Sequence, residues 1–199
     1  MRSCASWNGV GSVRRDAAPA SLGAFEDSVL IVGMANAAFF AADLFHEAFR
    51  APFPVPRDDS GLSIPTPPGL WRQYVAFYKW SDTHVEPVAF VNFLRHGDAY
   101  LVGGLCARRN FYRRLPASHW RACKARGGIV QMLLDRAAVE LGDAAALFGY
   151  CGDAKSWRVS ERAGYRRTPY QYVIVKWLRD VAERDRAALE AKVAAVGPF

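Results

Sequence analysis

The chain has 199 residues, enough for one domain with its own core or for a domain plus an ordered extension. With 51% hydrophobic and 23% charged residues it has a globular composition, which excludes global disorder. The net charge of +7 is uneven: residues 1–60 hold five Arg and seven Asp/Glu, a net −2, which leaves +9 on residues 61–199.

Residues 1–26 are rich in Ser, Gly, Ala and Arg without a sustained period and are expected to be a flexible tail. No signal peptide is expected, because the start has no apolar core, and a cytoplasmic location follows as an expectation. The apolar run Val29–Phe45 contains Asn36 and Asp43 and falls short of the roughly 20 clean residues of a membrane span. It reads as a buried helix capped by Asp27 or Ser28 and running to about Arg50. The following stretch APFPVPRDDSGLSIPTPPG holds six prolines and predicts an extended connector to residue 69.

From Leu70 the pattern turns to strands. LWRQYVAFYKW, VEPVAFVNFL and AYLVGGLCA are separated by the turns Ser81–His84 and His96–Asp98, which predicts an antiparallel meander. The third strand, apolar nearly throughout, is expected to be central. The window from Ala99 to Leu134 contains no acidic residue but holds Arg108, Arg109, Arg113, Arg114, Arg121, Lys124 and Arg126. A field of this sign attracts a polyanion: a phosphorylated cofactor, a nucleic acid or an acidic membrane surface.

Pro116 and Ser118 start a short helix ending at Gly127–Gly128, and a second helix runs from about Gly128 to Leu141 on an apolar stripe of Val130, Leu134, Ala138 and Leu141. AAALFGYCG is a fourth strand. Asp153 is a good N-cap for a short helix that Gly164 closes. TPYQYVIVKWL is the last strand, and Arg179–Val196 an amphipathic C-terminal helix. The expected fold class is therefore α/β (α+β), a mixed sheet in which strand 98–107 pairs in parallel with strand 144–151 across the helix at 128–141.

A helix start presents free N–H groups and partial positive charge, and glycines let a phosphate approach it. Arg126–Gly127–Gly128–Ile129, with Lys124 and Arg121 nearby, has this character. Cys4, Cys106, Cys123 and Cys151 show no zinc-ligand spacing, so no metal site is expected, and they read as free thiols.

Two stretches resemble the GNAT N-acetyltransferase superfamily, over residues ~70–178. YLVGGLCA, a basic loop and ARGGIVQMLLDRAAVEL look like its central strand, pyrophosphate loop and following helix; ALFGYCGDAKSWRVSERAGYRR…YVIVKW is similar to its next strand, short helix, Gly-aromatic pair and final strand. The resemblance implies residues 27–199 as one acyltransferase domain. It would use acetyl-CoA or another acyl-CoA as co-substrate and acylate an amine, with a homodimer as one assembly.

It also implies cofactor contacts from Leu105, Cys106, Ala107, Lys124, Arg126, Gly127, Gly128, Ile129 and Asp153. Candidate acid–base groups are Tyr150, His119 and Glu86, with His96 and Asp98 as further bases. The chain departs from the family where a Tyr often stands four residues before the Gly-aromatic pair, since Ser160 occupies that position. Two other readings remain: a basic nucleic-acid-binding module, from the arginines interleaved with aromatics, and a GNAT-like partner-binding protein without catalysis.

Overall fold

Strand segments whose successive side chains are buried on both sides need cover on both faces. The segment 71–81 is of this kind: Tyr74, Ala76 and Tyr78 enter one apolar cluster and Val75 another. The result is a sheet between two layers of helices. The computed structural model describes residues 23–53 and 70–199. The expected tail up to residue 22 and residues 54–69 of the expected connector lie outside them.

After a 3-10 turn at Phe25–Ser28, the elements are β1 (Val29–Met34), α1 (Ala38–Phe49), β2 (Trp71–Ser81), β3 (His84–His96) and β4 (Ala99–Ala107). Then follow α2 (Phe111–Arg114), α3 (Ala117–Ala125), α4 (Ile129–Glu140), β5 (Ala146–Tyr150) and α5 (Ala154–Arg162). The chain ends with β6 (Arg166–Arg167), β7 (Val173–Trp177) and α6 (Glu183–Ala194). The sheet order is β1-β2-β3-β4-β5-β7-β6. Among the described residues only β4 and β5 pair in parallel; every other ladder is antiparallel. Meander and parallel crossover are both as the sequence predicts.

Helices α2, α3, α4 and α5 cover one face, where Phe111, Cys123, Ile129, Leu133 and Ala163 join Tyr78, Val91 and Tyr100. Helices α1 and α6 cover the other: Ala41 and Leu44 pack on Val75, Phe90 and Cys106, and Val193 on Leu101, Phe148 and Val175. Among the described residues no helix is long and apolar enough to cross a membrane.

The N-terminal segment corrects the expectation of one helix from residue 27 to 50. Val29–Met34 is a strand, antiparallel to β2 from Val29↔Tyr78 to Met34↔Gln73, and the helix starts only at Ala38. A short apolar run carries no period that separates strand from buried helix. The tail also ends sooner than expected, since Phe25 is 2% exposed and packs against Tyr78 and His119. At the other terminus α6 begins at Glu183, later than Arg179, and Val196 is exposed.

Candidate functional site

Strands β4 and β5 pair only at Ala99–Leu101 with Ala146–Phe148. Beyond Leu101 they diverge. The same stretch of β4 carries a bulge: Asn92 pairs with Gly104 and Phe93 with Val102, which leaves Gly103 unopposed. A bulge bends its strand and increases the local twist. The divergence opens a cleft of about 290 Å³ through the sheet. Leu134, Ser156, Ser160, Tyr165 and Ile174 line its α4–α5 end, and Phe49, Tyr150 and Phe199 line it further along. The backbone of β4 past Leu101 has no partner strand on its β5 side.

Leu105, Tyr150 and Asp153, three of the residues expected at a site, line this cleft, as do Cys151 and Gly149. Asp153 is the N-cap of α5: its carboxylate accepts from the Ser156 hydroxyl and from the Lys155 and Ser156 N–H groups. The Ser156 hydroxyl first, then those N–H groups, hold its pKa below the ordinary carboxylate value. Tyr150 is 39% exposed, with its ring near Tyr172 and Phe199. Burial pushes the Cys151 thiol up, away from the reactive thiolate.

Sequence reading overlooked Tyr165, beyond its place in the Gly-aromatic pair. It is 4% exposed, and its hydroxyl is buried without a hydrogen-bond partner. Such an orphan destabilises a fold by about 1–3 kcal/mol. No sequence signal marks it, because the lack of a partner is a property of the packed environment.

The start of α4 holds the second expected group. Gly127 and Gly128 have φ of 80° and 99°, the left-handed region that favours glycine. The Gly127 N–H donates to the Lys124 carbonyl and the Gly128 N–H to the Cys123 carbonyl. The Ile129 N–H donates to the Tyr112 hydroxyl at 3.2 Å. That hydroxyl lies 2.9 Å from where a Cβ on Gly128 would stand. Arg126 bonds Glu26 at 2.8 Å, and the Lys124 ammonium sits 4.9 Å from the centre of the Trp120 ring. The N–H groups of Gly127, Gly128 and Ile129 are thus used internally, while those of Val130 and Gln131, next on α4, show no partner among the described residues.

Glu86 and His119 do not line the cleft. Glu86 binds Arg108, Arg114 and the Trp80 indole, each at 2.8 Å. Burial pushes its carboxyl up, but Arg114, Arg108 and Trp80 outweigh this and hold it below its usual value. A carboxylate held in this way is a poor base. His119 is buried between the Tyr78 hydroxyl and the Gly23 carbonyl, bracing α3 against the 3-10 turn. Asp98 is paired with Arg179 and Arg95. His96 lies at the end of β3, and Cys106 turns away from α4 to pack with α1; burial raises its thiol to about 12. Ala107 closes the ladder opposite Ala89. Among the described residues no group of His, Cys, Asp and Glu could hold a metal.

Three of the seven cations of the basic window are engaged by carboxylates: Arg108, Arg114 and Arg126 meet Glu47, Glu86 and Glu26. A charge difference also lies between the helical layers. Helices α2–α5 carry eight cations and three carboxylates; α1 and α6 together carry three cations and five carboxylates.

No family model matches the chain, and no curated protein does. Solved structures with the same architecture do. The ribosomal-protein-S18-alanine N-acetyltransferase of Escherichia coli is similar over 78% of this chain and 97% of its own, at 14% identity and a TM-score of 0.50. An aminoglycoside 6′-N-acetyltransferase complexed with coenzyme A is similar over 77% of this chain and 99% of its own, at 10% identity and a TM-score of 0.51. The chain has the GNAT fold. In this GNAT fold the segment joining β4 to α4 contains two helices of its own, and their Tyr112 reaches the glycine pair.

Proposed function

We propose that the protein transfers an acyl group from acyl-CoA to an amine. The observation that carries this reading is the cleft where β4 and β5 part, open between one layer rich in cations and one with more carboxylates. A polyanionic donor is favoured on the α2–α5 side and a cationic acceptor on the α1–α6 side. Free backbone N–H groups of β4 past Leu101 would hold the thioester carbonyl and the oxyanion that forms from it. The amine then attacks the carbonyl carbon directly, with no covalent enzyme intermediate. Solved proteins of this fold that carry N-acetyltransferase names support the reading.

Among the described residues, Asp153 is the one carboxylate side chain on the cleft wall and is committed to capping α5, and no histidine lines the cleft. The amine therefore enters neutral, or loses its proton to solvent at the mouth. Turnover should rise with pH along the ionisation of the amine itself, without a separate enzyme ionisation near neutrality.

The test is a thermal-shift series with acetyl-CoA, longer acyl-CoAs and free CoA, followed by thiol release with a panel of amines. A ligand that binds only the folded state raises the melting temperature by mass action. No shift at millimolar concentration with any of them overturns the reading. A large shift with single-stranded nucleic acid, lost steeply with salt, would replace it with the binding-module reading.

A further inference from the structure

Helix α6 is ended by two residues that cannot continue it. Gly197 turns through a φ of 83°, the left-handed conformation common just past a helix end, and its N–H donates to the Ala194 carbonyl at 3.3 Å. Pro198 follows and has no N–H to offer a further turn. The chain leaves the helix axis there and brings Phe199 back onto the sheet. Its ring packs with Leu101, Phe148 and Val175 and lines the cleft, its centre 6.1 Å from that of Tyr150.

Phe199, Tyr150 and Phe49 all border the cleft, and they are held in different ways. Tyr150 is the last residue of β5 and pairs with Val173. Phe49 is the last residue of α1, and its ring centre lies 4.5 Å from that of Phe45. Phe45 in turn presses on the sheet, 3.1 Å from where a Cβ on Gly104 would stand. Phe199 belongs to no helix or strand, and no described atom lies within 4 Å of where a Cβ on Gly197 would stand. Of the three rings it is the one that can change size without disturbing a ladder or a helix.

We propose that Phe199 sets the breadth of the amine that enters, and that the acceptor carries its amino group on an unbranched carbon chain. This rests on the acyltransferase reading, in which the amine comes from the α1–α6 side, and Phe199 follows α6. A phenyl ring has no hydrogen-bonding group and no charge, so it selects by shape. The cleft of about 290 Å³ must also hold the acyl group and the sulfur of the donor. The space that the three rings leave suits an aminomethyl end, and a branch on the carbon next to nitrogen meets Phe199.

The experiment follows thiol release from acyl-CoA with linear alkylamines and their isomers branched at the carbon bearing nitrogen. It compares wild type, Phe199→Ala and Phe199→Trp. The isomers ionise alike, so their kcat/KM values compare shape. Wild type should favour the linear amines. Phe199→Ala should raise the branched-to-linear ratio of kcat/KM by about 10-fold, mainly through a lower KM for the branched amine, and Phe199→Trp should lower it. Opposite shifts mark a wall, because general loosening of the fold moves both variants the same way. Equal ratios in the three proteins, or shifts of one sign in both variants, overturn the inference and leave the acyltransferase reading standing. A wild type that binds acyl-CoA in a thermal-shift assay but acylates no linear amine also overturns the inference alone. One that binds no acyl-CoA overturns both.

Discussion

The start of α4 and the parting of β4 from β5 are both glycine-bearing openings beside a helix, and they treat their polar groups in opposite ways. Before α4 and at its first residue the donors are taken up internally: Gly127 by Lys124, Gly128 by Cys123, Ile129 by Tyr112, and Arg126 by Glu26. At the strand divergence the backbone of β4 past Leu101 lacks a partner strand on its β5 side. A motif supplies donors; a site needs donors that the rest of the chain leaves unused. That distinction appears only after folding, because Tyr112 and Glu26 lie 17 and 100 residues from the groups they occupy.

Filling the cleft should have the largest effect. Ser156 is exposed on the first turn of α5 and lines the opening, so Ser156→Trp should leave the melting temperature nearly unchanged. Turnover with acyl-CoA should fall by about 100-fold or more as the reacting groups lose their alignment. Unaltered kinetics in this variant would mean that the chemistry lies elsewhere, and would restore the α4 start as the better candidate.

The glycine pair should answer mainly in stability. Gly128→Ala forces a side chain to a φ of 99° with Tyr112 in its way, and should destabilise by about 1–3 kcal/mol in urea unfolding. Glu at this position suits the charge of a helix start but meets the same backbone and steric barrier, so it cannot separate binding from folding there.

Glu86→Gln tests whether that carboxylate belongs to the architecture. It should lower stability by about 1–3 kcal/mol at pH 7 by weakening the links to Arg108 and Arg114. Because the folded state lowers the Glu86 ionisation, its contribution is complete above the unfolded value and is lost as pH falls through the lowered folded-state value. Acid unfolding curves of mutant and wild type should converge there. If the two proteins instead differ in turnover at equal stability, Glu86 has a chemical role after all.

Tyr112→Phe should show the smallest change and the most informative sign. Losing one hydrogen bond to Ile129 should reduce stability by about 0.5–1.5 kcal/mol. If the hydroxyl blocks an anion position, acyl-CoA affinity should rise as that N–H becomes free. Calorimetric titration showing weaker binding would make Tyr112 part of the ligand contacts.

The meander, the parallel β4–β5 step and the Asp153 cap were legible because each is written locally, in alternation, in turns or in a capping side chain. The strand at Val29–Met34 was not, because its residues are equally apolar on either reading and its partner β2 starts 37 residues further on, at Trp71. The site divides in the same way. Leu105, Tyr150 and Asp153, expected once the family resemblance is drawn, line the cleft. The commitments of Glu86, His119 and Arg126 depend on partners brought in from distant segments.

The unopposed Gly103 has a consequence for how β4 tolerates changes in length. A strand addresses its side chains to two sides in turn, and one extra residue shifts the phase of that wave. Leu101 therefore faces the α6 side while Gly104 and Cys106 face α1 on the same side of the sheet, although their numbering differs in parity. Deleting Gly103 would seat Val102 and Gly104 opposite Phe93 and Asn92 as ordinary neighbours, with Leu105 still toward the cleft and Cys106 still toward α1, and would take the bend out of the strand. A residue lost from a hairpin turn is absorbed nearby. One lost here removes the bulge and leaves every side chain from Gly104 to Ala107 on its present side.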